Sequence, residues 1–289
     1  MQKTNNAIIM AAGVSSRFAP LSYEKPKALT VVKGEVLIER QIRQLHEAGI
    51  HEIYIVTGYK AEMFSYLCEK YDVRLIHNDS YLIRNNHSSI YAARDVICNT
   101  YICSADNYFT ENPFEKQVEE SYYAAVYAHG HTNEWCMQTD DEGYITQVTV
   151  GGENAWYMLG HAFWSEDFSA KFLPQLEAVY DRPETRNLFW ENIFIDHLDL
   201  LKIKMRKYPA EYIFEFDSID ELREFDTSYI SDTRSAILRS AAAQLGGTES
   251  EITQIEPIKD GDTQVTGVQF TFRSHRYTYS YQDRQLRRK

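Results

Sequence analysis

The first third of the chain alternates between two hydrophobic patterns. Short apolar, β-branched runs predict strands at residues 7–10, 53–57, 73–77 and 100–104. Between these runs, apolar residues recur every three to four positions, which predicts helices at 36–48, 61–71 and 88–96. Strands that alternate with helices over short loops are typical of an α/β protein with a doubly wound, mostly parallel sheet. In such a Rossmann-like protein, ligands bind at the carboxyl ends of the strands.

The pattern changes after residue 120. Short strands joined by turns are predicted at 122–128, 137–139, 145–150 and 156–163, followed by helices at 167–179 and 188–200. A helix at 231–243 and a hairpin of strands at 267–272 and 277–281 predict a small α+β appendage at the C-terminus. We therefore expect one domain at 1–227, with halves at 5–120 and 121–227, and a small segment at 228–289.

The loop after the first strand carries the clearest chemistry. Ala11, Ala12 and Gly13 are small, so a ligand could approach their backbone closely. Arg17 and Lys27 then bring positive charge to the same loop. The chain contains neither a P-loop string nor the three glycines of a Rossmann fingerprint. We expect this loop to cradle a nucleoside triphosphate; the alternative is a strand followed by an ordinary polar loop.

Composition narrows the class of protein. The chain has 289 residues, of which 44% are hydrophobic, enough for one large core with a small satellite. Its net charge of −12 argues against nucleic acid as a partner. No apolar run approaches the ~20 residues of a membrane span, and no signal peptide opens the chain. The 4 cysteines lack metal or disulfide spacing, so we expect a cytoplasmic protein.

A second chemical landmark is Asp106, which follows the apolar strand predicted at 100–104. Its carboxylate would lie at the same edge of the sheet as the first loop. Carboxylate oxygens suit Mg²⁺, which in such sites usually shares one or two carboxylates with substrate phosphates. Taken alone, an aspartate after a strand is also a common cap or turn residue.

All 4 tryptophans fall in the second half of the chain, and two of them adjoin acids, as Glu134-Trp135 and Trp190-Glu191. An aromatic face beside a carboxylate is what a quaternary ammonium group needs, because that group cannot donate hydrogen bonds. The alternative is that the tryptophans fill a core or a dimer interface.

Several strings along the chain resemble one enzyme family. Residues 11–18, Ala-Ala-Gly-Val-Ser-Ser-Arg-Phe, with Pro26-Lys27, resemble the signature loop of the sugar-nucleotide-type nucleotidyltransferases. Strings similar to those of the bacterial CTP:phosphocholine cytidylyltransferases follow in order: Asn85-Asn86, Ser88-Ser89-Ile90, Thr132-Asn-Glu-Trp135, Gly160-x-x-Phe-Trp164, Phe189-Trp-Glu-Asn192 and Phe214-Glu-Phe-Asp-Ser218. Ser15 stands where the family usually has glycine, and Ser104 where it often has aspartate. The resemblance covers about residues 5–226.

This resemblance implies a Mg²⁺-dependent reaction of CTP with phosphocholine that gives CDP-choline and pyrophosphate. It implies that Asp106 and Asp217 bind the metal, and that Arg17 and Lys27 stabilise the triphosphate. The nucleotide-binding residues would be Ala11, Ala12, Gly13, Val14, Arg17, Lys27, Asn86, Ser88 and Asp106. The choline-binding residues would be Glu134, Trp135, Trp164, Trp190, Glu191 and Glu215.

The chain could form a homodimer. Two alternatives stay open beside phosphocholine transfer. The same chemistry could act on 2-aminoethylphosphonate or phosphoethanolamine, whose primary ammonium groups want hydrogen-bond acceptors more than aromatic walls. The fold could also serve as a non-catalytic nucleotide-binding module.

Residues 228–289 are similar to the opening of a choline-kinase N-lobe, through the predicted helix, the hairpin and the string at 258–263. A segment of this length would be marginal alone, so we expect it to pack on the main domain or on a partner chain. We also expect it to be dispensable for the chemistry.

Overall fold

The computed structural model describes residues 1–261 and 264–289. Within them the strands, labelled β1 to β19 along the chain, are Gln2–Lys3, Asn6–Ala11, Val31–Val32, Glu35–Val36, Ile53–Thr57, Arg74–His77, Thr100–Ser104, Tyr108–Phe109, Gln117–Val118, Tyr122–Tyr127, His131–Thr139, Ile145–Glu153, Trp156–Trp164, Lys204–Lys207, Ile213–Phe214, Ile252–Asp260, Gln264–Phe272, His275–Ser280 and Leu286–Arg288. The α-helices, α1 to α9, are Leu21–Glu24, Leu37–Glu47, Tyr66–Tyr71, His87–Ala93, Glu166–Tyr180, Trp190–Ile195, Ile219–Phe225, Ser228–Ser231 and Ala236–Gln244.

Two compact units are formed, each from separated stretches of the chain. The first unit comprises Met1–Gly13 and Ile38–Glu215, and the second comprises Val14–Leu37 and Phe216–Lys289. This division differs from the boundary predicted at residue 227, because the C-terminal segment shares its unit with residues 14–37. Hydrophobic periodicity reports local structure, so it could not reveal which distant stretches pack together.

The first unit is built on a mixed sheet. Its strands follow the order β12-β11-β13-β7-β2-β5-β6, and β10 pairs with both β13 and β14. The strands β7, β2, β5 and β6 are parallel to their neighbours within this group, as the strand–helix alternation predicted. The junction is the antiparallel pairing of β13 with β7, after which the hairpin strands extend the sheet. The predicted α/β class is therefore confirmed. The sheet has one parallel half and one mainly antiparallel half.

Both faces of this sheet are covered. Ala7, Ile8 and Ile9 of β2 are all fully buried, although successive side chains point to opposite faces of a strand. On one face, a hydrophobic core joins Ile8 to Ile90 of α4, Phe172 of α5 and further buried residues of α6. This core fixes the carboxyl ends of β2 and β7, where the loops with candidate chemistry begin.

The observed boundaries of the strands and helices agree best with the predicted ones where apolar runs are short and buried. The strands at 53–57 and 100–104 coincide with β5 and β7. The strands β11 and β12 are longer than predicted, because their outer residues are exposed and lack an apolar pattern. The helix predicted at 188–200 is confined to α6, whose cap is Asp196. The helix predicted at 231–243 is divided into α8 and α9, with Arg234 in the left-handed region between them.

The second unit contains a four-stranded antiparallel sheet in the order β16-β17-β18-β19, which confirms the predicted hairpin. Arg223 links α7 to the residues that follow it in this unit. Its guanidinium donates hydrogen bonds to the carbonyl oxygens of Tyr229, Glu249 and Ile252. Asp262 and Thr263, which belong to the string at 258–263, lie outside the described residues. Among the described residues, the helices are too short or too polar to cross a bilayer.

Candidate active site

In the first unit, two loops leave neighbouring parallel strands at the same edge of the sheet. The carbonyl oxygen of Met10, on β2, accepts a hydrogen bond of 3.2 Å from the nitrogen of Ala105, the residue before Asp106. The carbonyl oxygen of Ala12 accepts one of 3.1 Å from the nitrogen of Tyr59. Gly13 is exposed, and a Cβ built there would meet none of the described atoms within 4 Å. The backbone at Gly13 is therefore open to a ligand.

In the second unit, two cations meet one carboxylate. Nη1 of Arg17 lies 2.5 Å from Oδ2 of Asp217, and Nζ of Lys27 lies 3.8 Å from Oδ1 of the same residue. Lys27 is only 5% exposed, and its ammonium group lies 5.6 Å from the centroid of the Phe18 ring. A lysine this buried needs an opposite charge nearby, which Asp217 supplies.

Arg17 is held much less firmly than Lys27. Its side chain is 71% exposed, and an exposed ion pair contributes at most about 1 kcal/mol. Phosphate oxygens form bidentate, charge-assisted hydrogen bonds with a guanidinium group, as a carboxylate does. Arg17 can therefore exchange Asp217 for an anionic ligand at little cost.

Helix α7 places Asp217 beside these cations. Its N-cap, Ser218, accepts a hydrogen bond of 3.1 Å from the nitrogen of Glu221, and Oε2 of Glu221 accepts one of 2.7 Å from the nitrogen of Asp217. These reciprocal bonds fix the backbone at the start of the helix. The backbone position of Asp217 is thus determined locally.

Ser15 adopts the left-handed conformation that the family usually gives to glycine. Its φ is 47° and its ψ is 51°. The turn of the signature loop is therefore kept in spite of the substitution, with a residue that is strained there.

The residues suit a metal that is shared with a substrate. Asp217 and Asp106 each offer carboxylate oxygens, the ligands that Mg²⁺ prefers. The described residues contain no cluster of three or more His, Cys, Asp or Glu side chains that could enclose a metal. A carboxylate of this kind fits an ion whose remaining ligands are phosphate oxygens and water.

A partly buried carboxylate marks a further site in the first unit. Glu191, in the first turn of α6, accepts hydrogen bonds of 3.0 Å from the Tyr123 hydroxyl and 3.2 Å from Nδ2 of Asn86. Burial raises the pKa of Glu191 to about 7, against the effect of these hydrogen bonds. The Tyr123 ring stacks on Trp190, with 5.5 Å between the ring centroids.

The other two predicted acids, Glu134 and Glu215, lie near Tyr123 and a second tyrosine, Tyr157. The pKa of Tyr123 is raised by burial and by the charges of Glu191 and Glu215. The pKa of Tyr157 is raised by burial and then by the charges of Glu134 and Glu215. We call Glu134, Glu191 and Glu215 the acidic cluster. The carboxylates of this cluster favour a cationic ligand, which in turn favours the ionised form of Glu191.

The predicted aromatic residues divide into two groups. Trp164 and Trp190 are almost fully buried and pack edge to face in the core, with ring centroids 4.9 Å apart. For these two, the alternative of core packing agrees with their placement. Trp135 is only partly buried and contacts Phe189, which is 42% exposed. Trp135 is therefore the tryptophan of the predicted set that lies nearest to solvent.

The two residues predicted to contact the base also have structural partners. Ser88 is 1% exposed, and its hydroxyl donates to the carbonyl oxygen of Asn85 and accepts from Asn78. Asn86 accepts a hydrogen bond of 2.8 Å from the nitrogen of Trp190 while it donates to Glu191. Asn86 thus lies beside the acidic cluster.

Comparison with known proteins identifies the family. The model of the MobA-like NTP transferase domain matches residues 7–189. The choline-phosphate cytidylyltransferase of Streptococcus pneumoniae is 35% identical over 220 residues, 76% of this chain and 96% of the relative. The chain belongs to the MobA-like NTP transferase family.

Two further comparisons support this assignment. The 2-aminoethylphosphonate cytidylyltransferase of Lancefieldella rimae is 38% identical over 238 residues, 81% of this chain and 96% of the relative. A solved structure of the CTP:phosphocholine cytidylyltransferase from Streptococcus pneumoniae matches with a TM-score of 0.75 and 35% identity, over 78% of this chain and 99% of that one. The expected family and fold are confirmed, and the protein is a nucleotidyltransferase.

Sequence reasoning missed three residues of this nucleotidyltransferase that contact predicted site residues or lie close to them. Tyr123 and Tyr157 lie at partly exposed positions of the paired strands β10 and β13, and Asn78 follows β6. Tyr123 stands in the continuous apolar run of β10, Tyr-Tyr-Ala-Ala-Val-Tyr, and no local signal separates it from its buried neighbours. The role of Asn78 could not be predicted either, because its hydrogen bonds to Ser88 and Ser89 form only in the folded chain.

We predict that Ser15→Gly raises the free energy of unfolding by about 0.5 kcal/mol, because glycine relieves the left-handed strain but loses more entropy on folding. Urea unfolding measures this change. Ser16→Gly is the matched control, since Ser16 lies in the 3₁₀ helix Ser16–Phe18. It should lower stability by about 0.5 kcal/mol or more. Changes of the same sign in both variants would contradict the assigned turn.

We predict a pH-dependent effect for Glu191→Gln. The pKa of Glu191 rises from 4.5 to about 7 on folding, so its contribution to stability falls as pH rises through this range. The unfolding free energy of the wild type should therefore decrease, relative to Glu191→Gln, by about 2 kcal/mol between pH 5 and pH 8. Exposed Glu184 provides the control, as Glu184→Gln. An equal difference at both pH values would argue against a buried Glu191 charge.

Proposed function

We propose that this nucleotidyltransferase transfers the cytidylyl group of CTP to phosphocholine, giving CDP-choline and pyrophosphate. One observation carries the proposal: Arg17 and Lys27, on the segment after β2, lie 2.5 Å and 3.8 Å from the Asp217 carboxylate. Cations and a carboxylate in one group suit a triphosphate that arrives with a divalent metal. Relatives named for cytidylyl transfer to choline phosphate and to 2-aminoethylphosphonate support the choice of CTP.

The chemistry is a direct in-line displacement. A phosphate oxygen of phosphocholine attacks the α-phosphorus of CTP, the bond to the β-phosphate breaks, and its electron pair leaves with pyrophosphate. The attacking phosphate is already anionic near neutral pH, so no general base is needed. The barrier comes mainly from charge repulsion and positioning, which cations and fixed backbone donors reduce.

The chain's residues take separate parts in this step. Lys27 and Arg17 bind the triphosphate and stabilise the charge that develops on pyrophosphate. The backbone from Ala11 to Val14 approaches the nucleotide, with the open space at Gly13 in support. Asn86 contacts the base; Ser88, which is buried, supports the Asn86 loop through Asn85.

Asp106 and Asp217 are the proposed ligands of Mg²⁺, on the strength of the family resemblance and of their carboxylate chemistry. When bound, Mg²⁺ neutralises phosphate charge and polarises the α-phosphate. Asp217 is freed for this role when Arg17 moves to the phosphates, which its exposure permits.

The acidic cluster is the proposed site for the quaternary ammonium group. Glu134, Glu191 and Glu215 supply negative charge, and Trp135 supplies a partly exposed aromatic face. Trp190 of α6 supports this region by stacking on Tyr123, and Trp164 packs against Trp190 in the core.

A second candidate is the same reaction with 2-aminoethylphosphonate. Burial of Trp164 and Trp190 removes two of the predicted aromatic walls, whereas the acidic cluster offers the hydrogen-bond acceptors that a primary ammonium prefers. Pyrophosphate release from CTP and Mg²⁺ with phosphocholine, phosphoethanolamine or 2-aminoethylphosphonate decides between the substrates. Release with none of them would refute transfer to this class of acceptor.

We predict that Asp106→Asn and Asp217→Asn each lower kcat for pyrophosphate release by at least about 100-fold at saturating Mg²⁺. The loss of one metal-binding oxygen removes charge stabilisation where the transition state needs it. Exposed Asp199 offers a matched control, and Asp199→Asn should keep kcat within about twofold. Less than a tenfold loss in both site variants would remove these residues from the metal site.

We predict that Trp135→Leu raises KM for phosphocholine by roughly tenfold and KM for 2-aminoethylphosphonate by less than about threefold. A cation–π contact of about 1–2 kcal/mol is lost, and the primary ammonium depends on it less. Trp156→Leu is the control, because Trp156 is also partly buried but contacts Tyr127 and Lys207 instead. Equal increases for both substrates in Trp135→Leu would make Trp135 a packing residue.

A further inference from the structure

The segment from 14 to 37 consists only of short elements. It contains the 3₁₀ helices Ser16–Phe18 and Lys27–Leu29, the four-residue helix α1 and the two-residue strands β3 and β4. Single helical turns and isolated two-residue hairpins are not stable by themselves. The position of Lys27 therefore depends on the contacts between this segment and the rest of the second unit.

C-terminal side chains hold the segment at Val31. The carbonyl oxygen of Val31 accepts a hydrogen bond of 2.6 Å from the Tyr229 hydroxyl and one of 2.8 Å from Nη1 of Arg234. Tyr229 is fully buried, and the Arg234 guanidinium lies 4.0 Å from the centroid of its ring. The two donors thus support each other around one acceptor.

A second attachment lies at Glu24. Its carboxylate accepts hydrogen bonds of 2.6 Å from the Ser235 hydroxyl, 3.0 Å from the nitrogen of Ala236 and 3.1 Å from the nitrogen of Ile237. These donors form the start of α9, where the helix dipole favours a negative charge. The ring of Tyr23 also stacks on that of Tyr281, with centroids 3.8 Å apart.

The two attachments flank Lys27 in the sequence, at Glu24 on one side and Val31 on the other. We infer that residues 228–289 are a positioning element that fixes Lys27 for the triphosphate, with Tyr229 and Arg234 as positioning residues. The inference rests on the proposed function, in which Lys27 contacts CTP. It reverses the expectation that this segment is dispensable for the chemistry.

The direct test is the double variant Tyr229→Phe/Arg234→Met, which removes both donors to Val31 and keeps most of the buried side-chain volume. Amide hydrogen exchange of residues 25–33 should become roughly tenfold faster, because two hydrogen bonds no longer restrain the segment. KM for CTP should rise by about fivefold or more, while KM for phosphocholine stays within about twofold. Tyr229→Phe alone, which deletes a single oxygen, should give roughly a threefold rise.

The matched control is Tyr277→Phe/Arg273→Met, which removes a tyrosine hydroxyl and an arginine elsewhere in the same segment. Arg273 pairs with Glu251, and Tyr277 packs against Phe270. This control should leave exchange at 25–33 and both KM values unchanged within about twofold. Unchanged exchange at 25–33 in the Val31 variants, or equal rises in both KM values, would overturn the inference. Failure of the wild type to use CTP would refute the proposed function, while the exchange data would still decide the positioning role.

Discussion

The pairing of Asp217 with Lys27 and Arg17 is the interaction on which the proposed triphosphate site depends. A lysine that is 5% exposed is tolerated only with a compensating charge, and Asp217 lies 3.8 Å away. This requirement brings the segment after β2 to the start of α7, although about 190 residues of sequence separate them. The same pairing places two cations beside one carboxylate. In the function that we propose, the phosphate oxygens replace Asp217 as the partners of the cations, and the metal replaces the cations as the partner of Asp217.

The two units carry opposite charge where the candidate chemistry lies. The second unit presents Arg17 and Lys27, whereas the first presents the acidic cluster around Tyr123 and Tyr157. The acceptor that we propose is zwitterionic: its anionic end approaches the nucleotide, and its cationic end distinguishes it from other phosphorylated compounds. In the reaction that we propose, the acidic cluster binds that cationic end. Burial raises the pKa of Glu191 to about 7, so the charge of this cluster changes near neutral pH.

The sequence predicted those parts of the protein that depend on local pattern. The strands β5 and β7, the small residues Ala11 to Gly13 and the cations of the loop were all found from neighbouring residues. The sequence could not show that Trp164 is buried whereas Trp135 is partly exposed, because the burial of an aromatic ring depends on what packs against it from distant helices. The attachment of Val31 to Tyr229 was equally hidden, since the two residues are 198 positions apart.

The most direct measurement is a crystal structure of the protein with CTP and Mg²⁺. We expect the Arg17 guanidinium to leave Asp217 and to donate to a phosphate oxygen at about 2.8 Å, with Lys27 also bound to the triphosphate. We expect Asp217 to coordinate the metal at about 2.1 Å. A structure in which CTP binds away from Arg17 and Lys27, with both still paired to Asp217, would contradict the assignment of this loop as the triphosphate site.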